Sequence, residues 1–292
     1  MIPELLNLTT AFYTHAYQEV LDFDSSSLSA ENKKTAQILK YRAQIALGQS
    51  SSVISALKSL KDAASRAIVA LAQQSSGGSS AVETASSLAE SDPEDAVVQI
   101  CAGTVLASAG ENTKAIELLN KHQGSLEAVA LLVQIHLIQN RTDLAVKEIH
   151  AAKRWAQDSL LINLAEAWAN LRNGSSEKYQ SAFYVYEELA STPGTTSPTA
   201  LVGQAVAEIH LGRTEEAEAA LQQAMAAENV DVQAIANSIV LASITGKKPE
   251  VVQGLFQRLQ EKDKEHALLK DLEEKSQAFD AAAAKYTAKA AA

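Results

Sequence analysis

The chain has 292 residues, 47% hydrophobic and 21% charged, an ordinary balance for a folded protein but a length beyond the usual single globular core. Its formal net charge of −10 excludes the dense basic face that a nucleic-acid groove or a polybasic lipid contact would need. One cysteine, Cys101, excludes an internal disulfide framework.

From the N-terminus, Met1 to Phe12 carries Glu4 and no basic residue, which departs from the charge pattern of a secretory signal. The most apolar uncharged run, Ala128 to Asn140, includes Gln134 and His136 and falls short of the roughly 20 apolar residues that span a bilayer. A soluble, cytosolic protein is expected.

A punctuation mark recurs along the chain. His15, Gly48, Ser76, Gly110, Asn140, Gly212 and Gly246 each have a small or apolar residue seven positions before and another five positions after. The preceding set is Leu8, Tyr41, Val69, Gly103, Val133, Ala205 and Ile239; the following set is Val20, Val53, Ala81, Ala115, Ala145, Ala217 and Val251. An interval near 34 residues, doubled once between Asn140 and Gly212, is that of a helix-turn-helix repeat array. In such an array each hairpin packs only on its neighbours, which removes the size limit of a single core.

Eight hairpins are predicted. The first covers Pro3 to Phe23, the second Ala30 to Leu60, and the third Lys61 to Glu90, whose turn Gln73 to Ser80 reads as a flexible loop. In the fourth, Ala96 to Lys121, Asp92 is the expected N-cap with Pro93 in the first turn, and Gly110 ends the first helix in the left-handed conformation. Leu126 to Lys153 forms the fifth. The sixth, Leu160 to Ser191, reads as irregular, with an insertion at Asn173 to Gln180 and a second helix restarting near Ala182. Ser191 to Pro198 cannot continue a helix. Thr199 to Glu228 and Val230 to Gln260 complete the array. A terminal helix, Lys264 to Lys289, carries Leu268, Leu269, Leu272 and Phe279 and is expected to cap the last hairpin. The organisation expected is one continuous solenoid over 1–263, with a capping helix and Ala-rich tail over 264–292.

The seven-before, five-after pattern around a turn resembles the tetratricopeptide (TPR) repeat, and implies an all-α, right-handed TPR-like solenoid. Three longer strings are similar to the epsilon subunit family of coatomer: Phe12-Tyr13 with Tyr17-Gln18; Asn163 to Trp168 with Ala182 to Leu189; and His266 to Lys270 with Phe279-Asp280 and Tyr286. Their order and spacing cover almost the whole chain. The resemblance implies a structural subunit of the COPI vesicle coat, acting between Golgi and endoplasmic reticulum. It implies binding to the C-terminal region of the alpha subunit, association with other coatomer subunits through it, and membrane association only through the coat.

In TPR-like folds the first helix of each hairpin lines the concave surface. The stripe assigned to that surface comprises Leu5, Phe12, Ile38, Ile45, Ile100, Ala107, Leu137, Ile138, Val202, Val206, Ile209, Val240 and Ile244, and its only basic members are Arg42 and Arg66. A largely apolar stripe of this extent calls for a covering partner. At roughly 25 cal/mol per Å² of apolar area, a few hundred Å² would contribute several kcal/mol. Trp168 and Tyr184 are further interface candidates, Tyr184 because it falls off the apolar stripe; Trp155 reads equally as core or anchor.

Nothing in the sequence points to catalysis. His15, His122, His136, His150, His210 and His266 are scattered without metal-ligand spacing, so no metal is expected. Cys101 reads as a small core residue, and Gly246-Lys247-Lys248 lacks the remaining residues of a phosphate loop. No cofactor is expected. The competing reading is a reversible TPR adaptor or co-chaperone, which needs basic residues along the concave stripe to hold peptide tails.

Overall fold

The turn residues set the architecture. The computed structural model describes residues 3–191, 197–227 and 230–286. Seventeen α-helices follow a short 3-10 turn at Pro3–Leu5, with no strand among the described residues. They form eight antiparallel hairpins: α1 (Leu6–Tyr13) with α2 (Tyr17–Asp22), α3 (Ala30–Ala46) with α4 (Ser50–Leu57), α5 (Ala63–Ser75) with α6 (Ala81–Ser91), α7 (Ala96–Ser108) with α8 (Asn112–Leu119), α9 (Leu126–Ile138) with α10 (Thr142–Lys153), α11 (Leu160–Asn173) with α12 (Ser176–Ala190), α13 (Pro198–Leu211) with α14 (Thr214–Met225), and α15 (Val232–Ile244) with α16 (Pro249–Lys262). A final helix, α17, spans Ala267–Ala283.

Seven of the turns share one hydrogen-bond geometry. His15, Gly48, Gly77, Gly110, Asn140, Gly212 and Gly246 all have positive φ. The amide after each reaches back to close the helix: Ala16 to Ala11, Gln49 to Gln44, Gly78 to Gln73, Glu111 to Leu106, Arg141 to His136, Arg213 to Glu208 and Lys247 to Ala242, all at 2.8 or 2.9 Å. This is the Schellman ending, in which one left-handed residue satisfies two otherwise orphaned carbonyls. Two details differ from expectation. In the third hairpin the left-handed residue is Gly77, since Ser76 has φ −97°, and the expected loop is a closed turn. In the last hairpin α16 starts three residues after its left-handed turn residue, where α4, α8, α10 and α14 start two after theirs. The shift turns Val251 outward, 50% exposed, and brings Val252 against the core.

The sixth hairpin holds no insertion. α11 runs through to Asn173, Gly174 turns the chain at φ 76°, and α12 begins at Ser176 rather than near Ala182. In the fourth hairpin the N-cap is Asp95, whose carboxylate accepts from the Val97 and Val98 amides at 2.8 and 3.0 Å. Asp92 instead terminates α6, and Pro93 lies in the turn between. Ser29, Asp62, Ser125 and Asp231 cap α3, α5, α9 and α15 in the same way.

The described residues divide into two compact units, Met1–Ser197 and Pro198–Ala292; the expected boundary at Asp263 falls inside the second. In the first unit the leading helices α1, α3, α5, α7, α9 and α11 pack in succession, each also against its own hairpin partner. Ala70, Ala102, Ala115, Ala145 and Ala165 are fully buried along these seams, and small side chains let the helices approach closely. Gly103 has the same cause: a Cβ there would meet Leu119 Cδ2 at 3.2 Å. In the second unit α13, α14 and α15 pack mutually, and Ile235, Ala236, Ile239 and Leu259 form the core under α15 and α16. The expected cap is confined to one turn. Leu268 and Leu269 pack on that core, whereas Leu272 is 40% and Phe279 72% exposed, and α17 buries no residue completely. The middle of the Ser191–Pro198 linker, Glu228 and the tail beyond Tyr286 lie outside the described residues.

Candidate partner-binding surface

Residues of α1, α2, α3, α7, α9 and α11, with the α1–α2 turn and the turns that precede α9 and α11, line two adjoining pockets within the first unit. One, of ≈ 400 Å³, is lined by Ile38, Leu39, Val97, Ile100, Cys101 and Leu161, with Thr9, Thr35, Ser125 and Ser159 at its polar edges. The other, of ≈ 340 Å³, is rich in aromatic rings: Phe12, Tyr17, His15 and Trp168, beside Leu131, Leu164 and Gln134.

A polar cluster stands between them, and Tyr13, Arg42 and Glu127 line both pockets. Arg42 of α3 pairs with Glu127 of α9 at 2.7 Å, and the Tyr13 hydroxyl of α1 donates to the other carboxylate oxygen at 2.7 Å. Only 16% of the Arg42 side chain and 22% of the Glu127 side chain are exposed. The guanidinium also lies 4.6 Å from the centre of the Phe12 ring. Phe12 in turn meets Tyr13 and Tyr17 edge-on, and His15 stacks on Tyr17 with ring centres 5.4 Å apart. The left-handed turn at His15 is what folds Tyr17 back beside Phe12.

Burial, with the Glu127 charge next, pushes the Tyr13 hydroxyl well above its ordinary value and keeps it a donor. Burial likewise raises Tyr17 and takes the Cys101 thiol to about 11, so Cys101 is a neutral wall residue rather than a nucleophile. Among the residues lining these pockets Arg42 is the one permanent cation, and it is already neutralised.

The residues of the stripe expected from sequence fall in different places. Phe12, Ile38 and Ile100 line the pockets, though Ile100 is only 8% exposed. Ile45 and Val202, at 6% and 7% exposure, are core residues and are removed from the exposed stripe; a helix buries two apolar flanks in a stacked array, and Ile45 packs into the core of the stacked hairpins of the first unit. Leu137 packs partly against Val129, Val133 and Ile149, while Ile138 at the end of α9 is 72% exposed. In the second unit Val206 and Ile209 are half-buried on α13, and Val240 and Ile244 are 38% and 62% exposed on α15. Trp168 packs between two core clusters and walls the aromatic pocket. Tyr184 is 59% exposed on α12, and Trp155 52% exposed after α10. Tyr13, Glu127 and Ser159 carry no sequence signal of a site. Arg42, one of two arginines on an otherwise apolar stripe, is the available clue, since such a charge needs a partner.

No helix of the described residues is long and apolar enough to cross a membrane. Among solved structures the chain is similar to one in the crystal structure of the APC/C hetero-tetramer Cut9-Hcn1, with TM-score 0.65 and 15% identity over 92% of this chain and 54% of that one. It is also similar to a tetratricopeptide repeat protein from Parabacteroides merdae, with TM-score 0.60 and 12% identity over 88% and 96%. These likenesses identify the fold as TPR-like. In sequence, the probable coatomer subunit epsilon of Schizosaccharomyces pombe is 32% identical over 85% of this chain and 82% of its own length. Coatomer subunit epsilon-1 of Arabidopsis thaliana is 32% identical over 83% and 84%, and coatomer subunit epsilon of Caenorhabditis elegans 28% identical over 96% and 97%. The profile of the coatomer epsilon subunit matches residues 1–287. The chain therefore belongs to the coatomer epsilon subunit family, a family of structural coat components that associate with other coatomer subunits.

Proposed function

We propose that this chain binds the C-terminal region of the coatomer alpha subunit along the first-helix faces of its hairpins, and steadies that subunit within the COPI coat. It works in the cytoplasm on Golgi membranes and on vesicles moving between Golgi and endoplasmic reticulum, touching the membrane only through the coat. It carries out no catalysis and contacts no nucleic acid.

The observation that supports this most is the neutrality of the groove in the first unit. Arg42 is engaged by Glu127, and the rest of the lining is mainly apolar, aromatic or hydroxylic, with the Gln134 amide and the His15 imidazole as its other polar groups. Such a lining holds a partner by burial, which suits a permanent contact within a coat, whereas a reversible adaptor that grips acidic peptide ends needs free cations. Affinity purification of the chain from its own cells, with stoichiometry by mass spectrometry, tests the reading. The alpha subunit in equimolar amount, together with the rest of the coat, is expected. Chaperones or many substoichiometric partners would contradict it and favour the adaptor.

A further inference from the structure

We infer that the two pockets flanking the Tyr13–Glu127–Arg42 cluster form one paired socket for an extended, uncharged segment, with an apolar side chain in each pocket and the Ser159 hydroxyl donating to the segment's backbone. The inference rests on the alpha-subunit reading for the identity of the occupant, and adds where and by what chemistry the segment is held.

Ser159 is the first observation. It occupies the N-cap position of α11, equivalent to Ser29, Asp62, Asp95 and Ser125, each of which accepts a hydrogen bond from its own helix. The Ser159 side chain makes no such bond. Its hydroxyl is buried, without a partner, and lines the larger pocket. A buried hydroxyl without a partner is costly, so a ligand that offers Ser159 an acceptor gains by relieving that cost.

The second observation fixes the occupant's chemistry. The cation beside both pockets is paired, and Glu127 already accepts from both Arg42 and Tyr13, so neither an acidic nor a basic side chain finds a counter-charge. A helix satisfies its own carbonyls, while an extended segment has carbonyls free to accept from Ser159. The pockets share Tyr13, Arg42, Ile100, Glu127 and Leu161 as a common wall. An extended segment crossing that wall places alternate side chains about 7 Å apart on one face, one in each pocket.

The test places the photo-cross-linker p-benzoylphenylalanine at Thr35, an exposed residue of α3 at the rim of the larger pocket, in the assembled coat complex. The expected product is a cross-link to an uncharged stretch with apolar residues in the C-terminal region of the alpha subunit. A cross-link to an uncharged stretch of a different coat protein would leave the socket standing and overturn the alpha-subunit reading. A cross-link to a charged stretch, or none while the alpha subunit still co-purifies, would overturn the socket and leave that reading intact. In a binding assay with the alpha-subunit region, Ser159→Ala should weaken affinity about two- to tenfold and Ser159→Thr, which keeps the hydroxyl, much less. Equal affinities for wild type and Ser159→Ala would remove Ser159 from the socket. Thr35→Trp should fill the pocket and weaken binding at least about tenfold with unchanged circular dichroism, since one blocked anchor removes the burial of a whole side chain; unchanged affinity would contradict the socket.

Discussion

The Tyr13 hydroxyl and the Glu127 carboxylate lie 2.7 Å apart although 114 residues separate them in the chain. With Arg42, they tie the first two hairpins to the fifth across the groove. Glu127→Gln should leave Arg42 partly buried without its counter-charge and lower the stability of the first unit by about 1–3 kcal/mol. Tyr13→Phe removes only a donor and should cost about 0.5–1.5 kcal/mol. Because both act through one carboxylate, the double variant should lose less than the two single losses together. Chemical denaturation of the four proteins checks this; strict additivity would mean that the three side chains do not act as a cluster.

The Schellman turns give a matched pair of glycine variants. Gly110 has φ 83° with open space around a would-be Cβ, so Gly110→Ala meets no clash and its cost is the left-handed backbone alone, about 1–2 kcal/mol. Gly254 lies inside α16, exposed and equally uncrowded. Gly254→Ala should raise stability by about 0.5–1 kcal/mol through helix propensity. Melting curves of opposite sign are the expected outcome, and equal shifts would remove the conformational argument.

Alkaline pH should unfold the protein through its tyrosines. Burial raises Tyr13 and Tyr17 above the ordinary value of 10.0 and takes Tyr186 to about 12. Each is held neutral in the folded state, so its contribution is fully present below about pH 10, where the unfolded group ionises, and is lost as pH rises through the folded values. Stability should be steady up to about pH 9 and fall above about pH 10, with tyrosinate absorbance lagging for the buried rings until unfolding. All seven tyrosines titrating together at the ordinary value in the folded protein would refute the burial assigned to these three.

The end of the array gives a third contrast. Among the described residues, deleting Asp271 onward removes no fully buried side chain, so the melting temperature should hardly move. Leu268→Ala and Leu269→Ala, which touch the Ile235–Leu259 core, should each cost about 1–2 kcal/mol as partly buried large-to-small changes. A large loss on truncation would show that α17 covers more of the end than its first turn.

Hairpin positions are legible from the turns because a left-handed residue leaves a local signature, glycine or asparagine at all but the first turn, where it is His15, at fixed distance from buried positions such as Val133 and Ala145. The sixth hairpin is not legible in the same way, because Gly174 is followed by Ser175, also at positive φ, and by a helix whose buried Ala182 sits further from the turn than in its neighbours. Asp92 and Asp95 are equivalent to a motif search; only the backbone shows which one precedes the helix. The groove was half legible. An apolar stripe can be counted along a helix, but the flank facing the groove and the flank facing the next hairpin are both apolar, so Ile45 and Ile38 look alike in sequence. Tyr13 and Glu127 carry no local signal of their pairing, because only the stacking of five hairpins brings them together.

Two apolar positions on α13, a leading helix of the second unit, test whether the binding face extends there. Val206→Asp with Ile209→Asp adds charge at half-buried sites of α13 and should abolish alpha-subunit binding while leaving helical content intact. Retained binding would confine the interface to the first unit.

Calorimetric titration of the purified chain with the C-terminal region of the alpha subunit, repeated at low and high salt, tests the central claim most directly. A neutral groove that works by burial should give saturable one-to-one binding, a negative heat-capacity change and an affinity nearly independent of salt. No binding, or an affinity that collapses as salt rises, would contradict it.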